Sequence, residues 1–249
     1  MKTASVKIVS IHAHPDDAEI LAGGTLALLA KADHDVVIVT MTPGDKGSDK
    51  FSPEEIAKVR REEARSAAAI IGAQYICAEF RDLEIFNDHE SRKRMVELVR
   101  QLRPDIVLTS APSDYLCDHE ATSTLVRDAL FAAPAPNYRT ESKPLPSIPH
   151  LYFMDPIEGF DREYRFVKAD FIVDISKVFE TKKRMLAKHK SQRDWLHRQH
   201  DMDDYIESME EWSSDRGAEI GCKYGEGFRQ YRGHPYPQTP LLQQLLCGK

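Results

Sequence analysis

His14, Pro15, Asp16, Asp17 and Ala18 follow an apolar run from Val6 to Ile11 and precede a helix-like one from Ile20 to Ala30. An imidazole and two adjacent carboxylates at such a junction can divide two tasks, one carboxylate binding a metal while the other handles protons. The alternative is a polar turn in which Pro enters the bend and Asp caps a helix. A second segment shifts the balance. Ser110 to Thr122 also follows an apolar run, Ile106-Val107-Leu108, and contains Asp118 and His119. His14, Asp17 and His119 would make a two-histidine, one-carboxylate set that leaves coordination positions for water and substrate, a feature of catalytic rather than structural zinc sites. The same set also suits Fe2+.

The elements that must hold these residues alternate in type. Short apolar runs predict strands near Lys7 to Ala13, Asp35 to Met41, Tyr75 to Glu79 and Asp105 to Ser110. Longer amphipathic stretches between them predict helices near Ala18 to Lys31, Pro53 to Ile71 and Glu90 to Leu102, with another from His119 to Phe131. This is the pattern of βαβ units around a parallel sheet, with the chemistry in the crevice beyond the strand ends. Between Ala133 and Pro149 five prolines predict a long semi-rigid loop, either one wall of a cleft or a plain surface connection. Two more strands are expected near His150 to Asp155 and Asp170 to Asp174, then a helix from Lys177 to about His200. Glycines, aromatics and prolines after Asp201 suggest an irregular segment wrapping the domain. The fold expected is α/β, a Rossmann-like, mostly parallel sheet with helices on both faces and an irregular C-terminal extension. The chain is read as a single domain over residues 1–249, with a metal-binding half to 133 and a second half from 134.

Further motifs accompany the first two: Thr42-Pro43-Gly44-Asp45-Lys46-Gly47, Arg60-Arg61-Glu62-Glu63-Ala64 running to Gly72, Arg81-Asp82, and His189-Lys190-Ser191-Gln192. With the Ala13-His14-Pro15-Asp16-Asp17-Ala18-Glu19 start, in this order, the chain resembles the LmbE-like (PIG-L) metal-dependent N-deacetylases. The resemblance implies that His14, Asp17 and His119 bind zinc, that Asp16 is the general base, and that Arg60 and Asp82 lie where relatives hold substrate. Asp118 would support the ligands from behind. An alternative for Arg60 is an exposed ion pair with Glu63, and for Asp82 a turn aspartate. One position departs from the pattern. Relatives carry His-Pro-Asp-His where this chain has Leu116-Cys117-Asp118-His119, so an imidazole that faces the oxyanion is a leucine here. Either the metal carries the oxyanion alone or a substitute donor comes from His189, His197, His200 or Tyr115, of which His200 is the choice.

The expected activity is hydrolysis of an N-acetyl group on an N-acetylglucosamine-containing small molecule. A metal-dependent amidase for a larger acyl group, or a sugar-binding protein with a decayed site, are the alternatives. Composition narrows the rest. With 249 residues, 41% hydrophobic and 30% charged, the chain can bury a core. A net charge of -6 from 40 acidic and 34 basic residues, without a basic stripe, argues against nucleic acid. No apolar stretch approaches the ~18 residues that cross a bilayer, and Met1 to Val9 lacks a signal-peptide core, so a cytoplasmic protein without a membrane partner is expected. Four scattered cysteines read as reduced thiols. Members of the family are often oligomeric, so a homo-oligomer is allowed for.

Overall fold

The computed structural model describes residues 5–193, 195 and 205–247. Its seven strands are β1 (Lys7–His12), β2 (Asp35–Thr40), β3 (Gln74–Cys77), β4 (Ile106–Thr109), β5 (His150–Met154), β6 (Phe171–Asp174) and β7 (Gly225–Gln230). They form one sheet in the order β3-β2-β1-β4-β5-β7-β6. The first five run parallel, and β7 lies antiparallel to both β5 and β6. The α-helices with both ends among the described residues are α1 (Asp17–Lys31), α2 (Pro53–Ala69), α3 (His89–Leu102), α4 (Cys117–Ala132), α5 (Phe179–Leu186), α6 (Tyr205–Ile220) and α7 (Leu241–Cys247), and residues 190–193 and 195 are also helical.

Successive strand residues point to opposite faces, so β1 feeds two cores. Ile8 joins Leu26, Leu29, Phe179, Met209 and Phe228 on the face covered by α1, α5 and α6. Val9 and Ile11 join Met95, Val99, Leu125 and Leu130 on the face covered by α3 and α4. Because both faces of β1, β2, β4 and β5 are buried, these parallel strands read as near-continuous apolar runs, which is why their positions match the sequence pattern to within two residues. Pro53 enters α2 behind a capping box, in which Ser52 Oγ accepts from Glu55 N and the Glu55 carboxylate accepts from Ser52 N.

Three expectations are corrected. The helix expected from Lys177 to about His200 is interrupted: α5 ends at Leu186, residues 187–189 are not helical, and residues 190–193 and 195 are helical again, although neither Gly nor Pro marks the break. His189 turns inward there, and the next turn is caught by Glu63 of α2, which accepts from Ser191 N at 2.9 Å and Ser191 Oγ at 2.6 Å. The C-terminal segment is not irregular: it supplies α6, the internal strand β7 and α7. The Pro-rich loop forms no wall of the cleft described below. Instead Arg100 of α3 pins it to the surface, donating to the carbonyls of Ala133 at 2.9 Å, Ala135 at 2.8 Å and Tyr138 at 2.8 Å.

Candidate metal centre and cleft

The strand order reverses direction between β1 and β4, the switch point at which open α/β sheets make a crevice. His14 to Asp16 form the loop after β1, Asp17 opens α1, and His119 stands in the first turn of α4, after β4. His14, Asp17 and His119 thus offer ligand atoms within 4.8 Å of one another. Each imidazole is held by a carboxylate on its other nitrogen. Asp118 Oδ2 lies 3.1 Å from His14 Nε2, and Asp114 Oδ1 lies 3.0 Å from His119 Nδ1. That leaves His14 Nδ1 facing Asp17 at 3.7 Å and His119 Nε2 facing Asp17 at 3.4 Å. Carboxylates that fix the tautomer of a ligating imidazole are the usual outer support of a metal site.

A second trio, His14, Asp82 and Asp118, is equally close. It offers one imidazole and two carboxylates, with Asp82 Oδ2 accepting from Lys46 N at 2.9 Å and Asp118 Oδ2 from Leu83 N at 2.7 Å. The first trio offers two imidazole nitrogens that face one carboxylate, the better donor set for a catalytic cation. Electrostatics agree with a cation there. Burial alone would lower the His14 pKa, but Asp118 and Asp17 raise it to about 9. Burial likewise opposes His119, yet Asp17 and Asp114 hold it well above the ordinary histidine value. Burial would raise Asp17, yet the two imidazoles hold its carboxyl well below the usual range. A cluster this rich in buried negative charge, with two nitrogens and one oxygen convergent, fits a divalent metal.

Asp16 sits beside this trio in a different role. It occupies the N-cap position of α1, but at φ 107° and ψ -29° its side chain makes no cap hydrogen bond, so the capping alternative fails. Its Oδ2 accepts from the phenol of Tyr205, and Arg60 Nη2 lies 3.7 Å from the same oxygen. Burial pushes the Asp16 carboxyl up against the pull of Arg60. Arg60 is only 3% exposed and does not pair with Glu63. It crosses under the loop of Gly44, donating to Pro15 O at 2.9 Å and Gly44 O at 3.5 Å. A Cβ at Gly44, whose φ is +76°, would lie 2.3 Å from that guanidinium.

These residues floor a cleft of about 720 Å³. Lys46, Arg60, Asp82 and Gln192 form its polar side, while Leu83, Leu116, Phe160, Tyr164 and Trp212 form an apolar one. Leu116 lies on this apolar wall, as its chemistry requires. Of the substitutes considered for the missing imidazole, Tyr115 lines the cleft, whereas His189 is buried behind Asp16 with its Nε2 3.5 Å from Glu19. His197 and His200 lie outside the described residues. Sequence reasoning missed Asp114 and Tyr205. Asp114 stands in the motif segment but nothing in its spacing announces a partner for His119. Tyr205 is 189 residues from Asp16.

The comparisons with known proteins bear on this geometry. The PIG-L family profile, described as GlcNAc-PI de-N-acetylase, matches residues 9–130. A diacetylchitobiose deacetylase of Thermococcus kodakarensis is 34% identical over 192 residues, covering 75% of this chain and 70% of that protein. The chain belongs to the PIG-L family. Another relative by sequence is a 4-oxalmesaconate hydratase of Pseudomonas putida, 27% identical over 190 residues and covering 73% and 72% of the two chains. Among solved structures, the N,N'-diacetylchitobiose deacetylase of Pyrococcus horikoshii superposes with a TM-score of 0.78 at 28% identity, covering 96% of this chain and 89% of that one. Among the described residues of this PIG-L protein, no helix is long and apolar enough to cross a membrane.

Proposed function

We propose that this PIG-L protein is a zinc-dependent N-deacetylase that releases acetate from an N-acetylglucosamine-containing small molecule. The observation that carries the reading is the convergence of His14, Asp17 and His119 beside Asp16 on the floor of a 720 Å³ cleft. A zinc ion held by those three would polarise an amide carbonyl and acidify water, as Fe2+ in the same ligand set also could. Asp16 takes the proton of the attacking water on its cleft-facing oxygen and returns it to the amide nitrogen as the carbon–nitrogen bond breaks. The products are acetate and a primary amine. Arg60 keeps the loop of Asp16 in place and Asp82, with its Oδ1 buried and unpartnered among the described residues, accepts a sugar hydroxyl. The substrate's apolar portion rests against Phe160, Tyr164 and Trp212.

The test is acetate release from a panel of N-acetylated amino sugars and longer N-acyl analogues. It is run on protein of measured metal content, before and after chelation. Release that stops on chelation and returns with zinc supports the reading. No release from any amide in metal-loaded protein refutes it.

A second reading is favoured by Leu116. Leu116 presents no imidazole to the cleft, and a hydratase stands among the relatives. Under this reading water adds across the double bond of an unsaturated carboxylate, with Asp16 again moving the proton. Loss of conjugated absorbance without acetate release distinguishes it.

A further inference from the structure

Tyr205 is the first residue of α6 and is buried, yet its hydroxyl reaches the Asp16 carboxylate across 189 residues of chain. Asp16 is poorly held by its own segment. Its backbone lies in the left-handed region, where a non-glycine residue is strained, and its side chain makes none of the bonds an N-cap normally makes. A carboxylate so placed would turn about its last bond and present either oxygen to the cleft. The phenol prevents this. It engages Oδ2, the same oxygen that Arg60 Nη2 approaches to 3.7 Å, while among the described residues Oδ1 has no hydrogen-bond partner.

We propose that Tyr205 is a positioning residue that locks Asp16 Oδ2 and so commits Oδ1 to face the reacting water. The proposal rests on Asp16 being the base. The other end of the lock is rigid: α6 is fixed in the core by Met209 and by Arg216, whose Nε donates to Asp155 at 2.7 Å. Hence the hydroxyl is delivered by packing rather than by a mobile side chain. Misplacing a reacting group by about 1 Å can cost on the order of 10²-fold in rate. Phenylalanine keeps the ring and its packing and deletes only the donor.

The experiment compares the metal-loaded wild type with Tyr205→Phe, Asp16→Asn and the double variant. Tyr205→Phe should lower kcat by about 10- to 100-fold with KM and metal content unchanged. In the Asp16→Asn background the same substitution should cost nothing further, because the group it positions is gone. A kcat within twofold of wild type overturns the proposal. So does a loss shared by KM or metal content, which marks a structural role, or an equal loss in both backgrounds. If Asp16→Asn itself stays active, the base assignment fails instead, and that result is read separately. Crystals of Tyr205→Phe report independently of turnover: the Asp16 carboxylate should leave its wild-type orientation, and an unmoved carboxylate overturns the proposal whatever the substrate.

Discussion

Two adjacent aspartates with the same side chain are separated in role by what each one touches. Asp17 faces two imidazoles, and Asp16 faces a phenol and a guanidinium. His119→Ala should therefore lose metal and activity together while the fold persists, because a catalytic site contributes less to folding than a structural one; full metal occupancy in that variant, measured by elemental analysis, would remove His119 from the ligand set. Asp16→Asn should keep its metal and lose about 10² to 10⁴ in turnover, and a variant retaining half its activity would make Asp16 structural. The trio was legible in the sequence because its members lie in the loops and first helical turns that follow two apolar strands, β1 and β4, and parallel strands put all such ends on one edge. Asp114 and Tyr205 were not, since neither periodicity nor spacing encodes a contact that only tertiary packing creates. His189 illustrates the limit: its motif placed it near the site, and it lies behind Asp16 rather than in the cleft.

Among the elements, α3 shows how a loop of five prolines is held without secondary structure of its own. Glu97 accepts from Ser142 N at 2.9 Å and from Ser142 Oγ at 2.6 Å, one turn from the buried Arg100. Burial would raise the Glu97 pKa, but the bonds from Ser142, Thr140 and Gln101 bring it down from 4.5 to about 2. A depressed carboxyl pKa stabilises the fold above its unfolded value and ceases to do so as pH falls through the folded one. The stability difference between wild type and Glu97→Gln should thus be full above pH 4.5, shrink toward pH 2 and vanish below it; urea midpoints that differ equally at pH 2 and pH 6 would refute the linkage. Arg100→Met, which strands several buried carbonyls, should cost about 2–4 kcal/mol and leave kcat unchanged, because this loop does not touch the cleft. The elements the sequence revealed are those buried on both faces or amphipathic over several turns. The strand β7 escaped because it is written Gly225-Glu226-Gly227-Phe228. A Cβ at Gly227 would come within 2.3 Å of the Asp155 carboxylate, so close packing demands a residue that otherwise signals a turn.

In the whole molecule, the first and second parts of the chain share one sheet, and Glu226 of β7 ties them together by binding α1 while it pairs with Lys182 of α5. Lys182 of α5 and Glu226 of β7 are each 1% exposed and 2.8 Å apart. The Glu226 carboxylate also accepts from Gly24 N at 2.8 Å and Thr25 N at 2.7 Å in α1, and Lys182 reaches Ser213 Oγ of α6 at 3.1 Å. Such a pair gains little over an apolar substitute, but removing one member strands the other, at about 3–5 kcal/mol. We propose that the chain unfolds as one cooperative unit for this reason. Both tryptophans, Trp195 and Trp212, lie in the second part, whereas far-ultraviolet circular dichroism reports helices in both. Urea curves by fluorescence and dichroism should coincide in the wild type and in Glu226→Ala, the latter shifted by about 3–5 kcal/mol; two separate midpoints would show the parts to be independent. The double variant Lys182→Met, Glu226→Leu should recover only part of the loss. It removes both charges, but the amides of Gly24 and Thr25 lose the carboxylate they share, and that residue of instability identifies the contact with α1 rather than the ion pair itself as what joins the two parts.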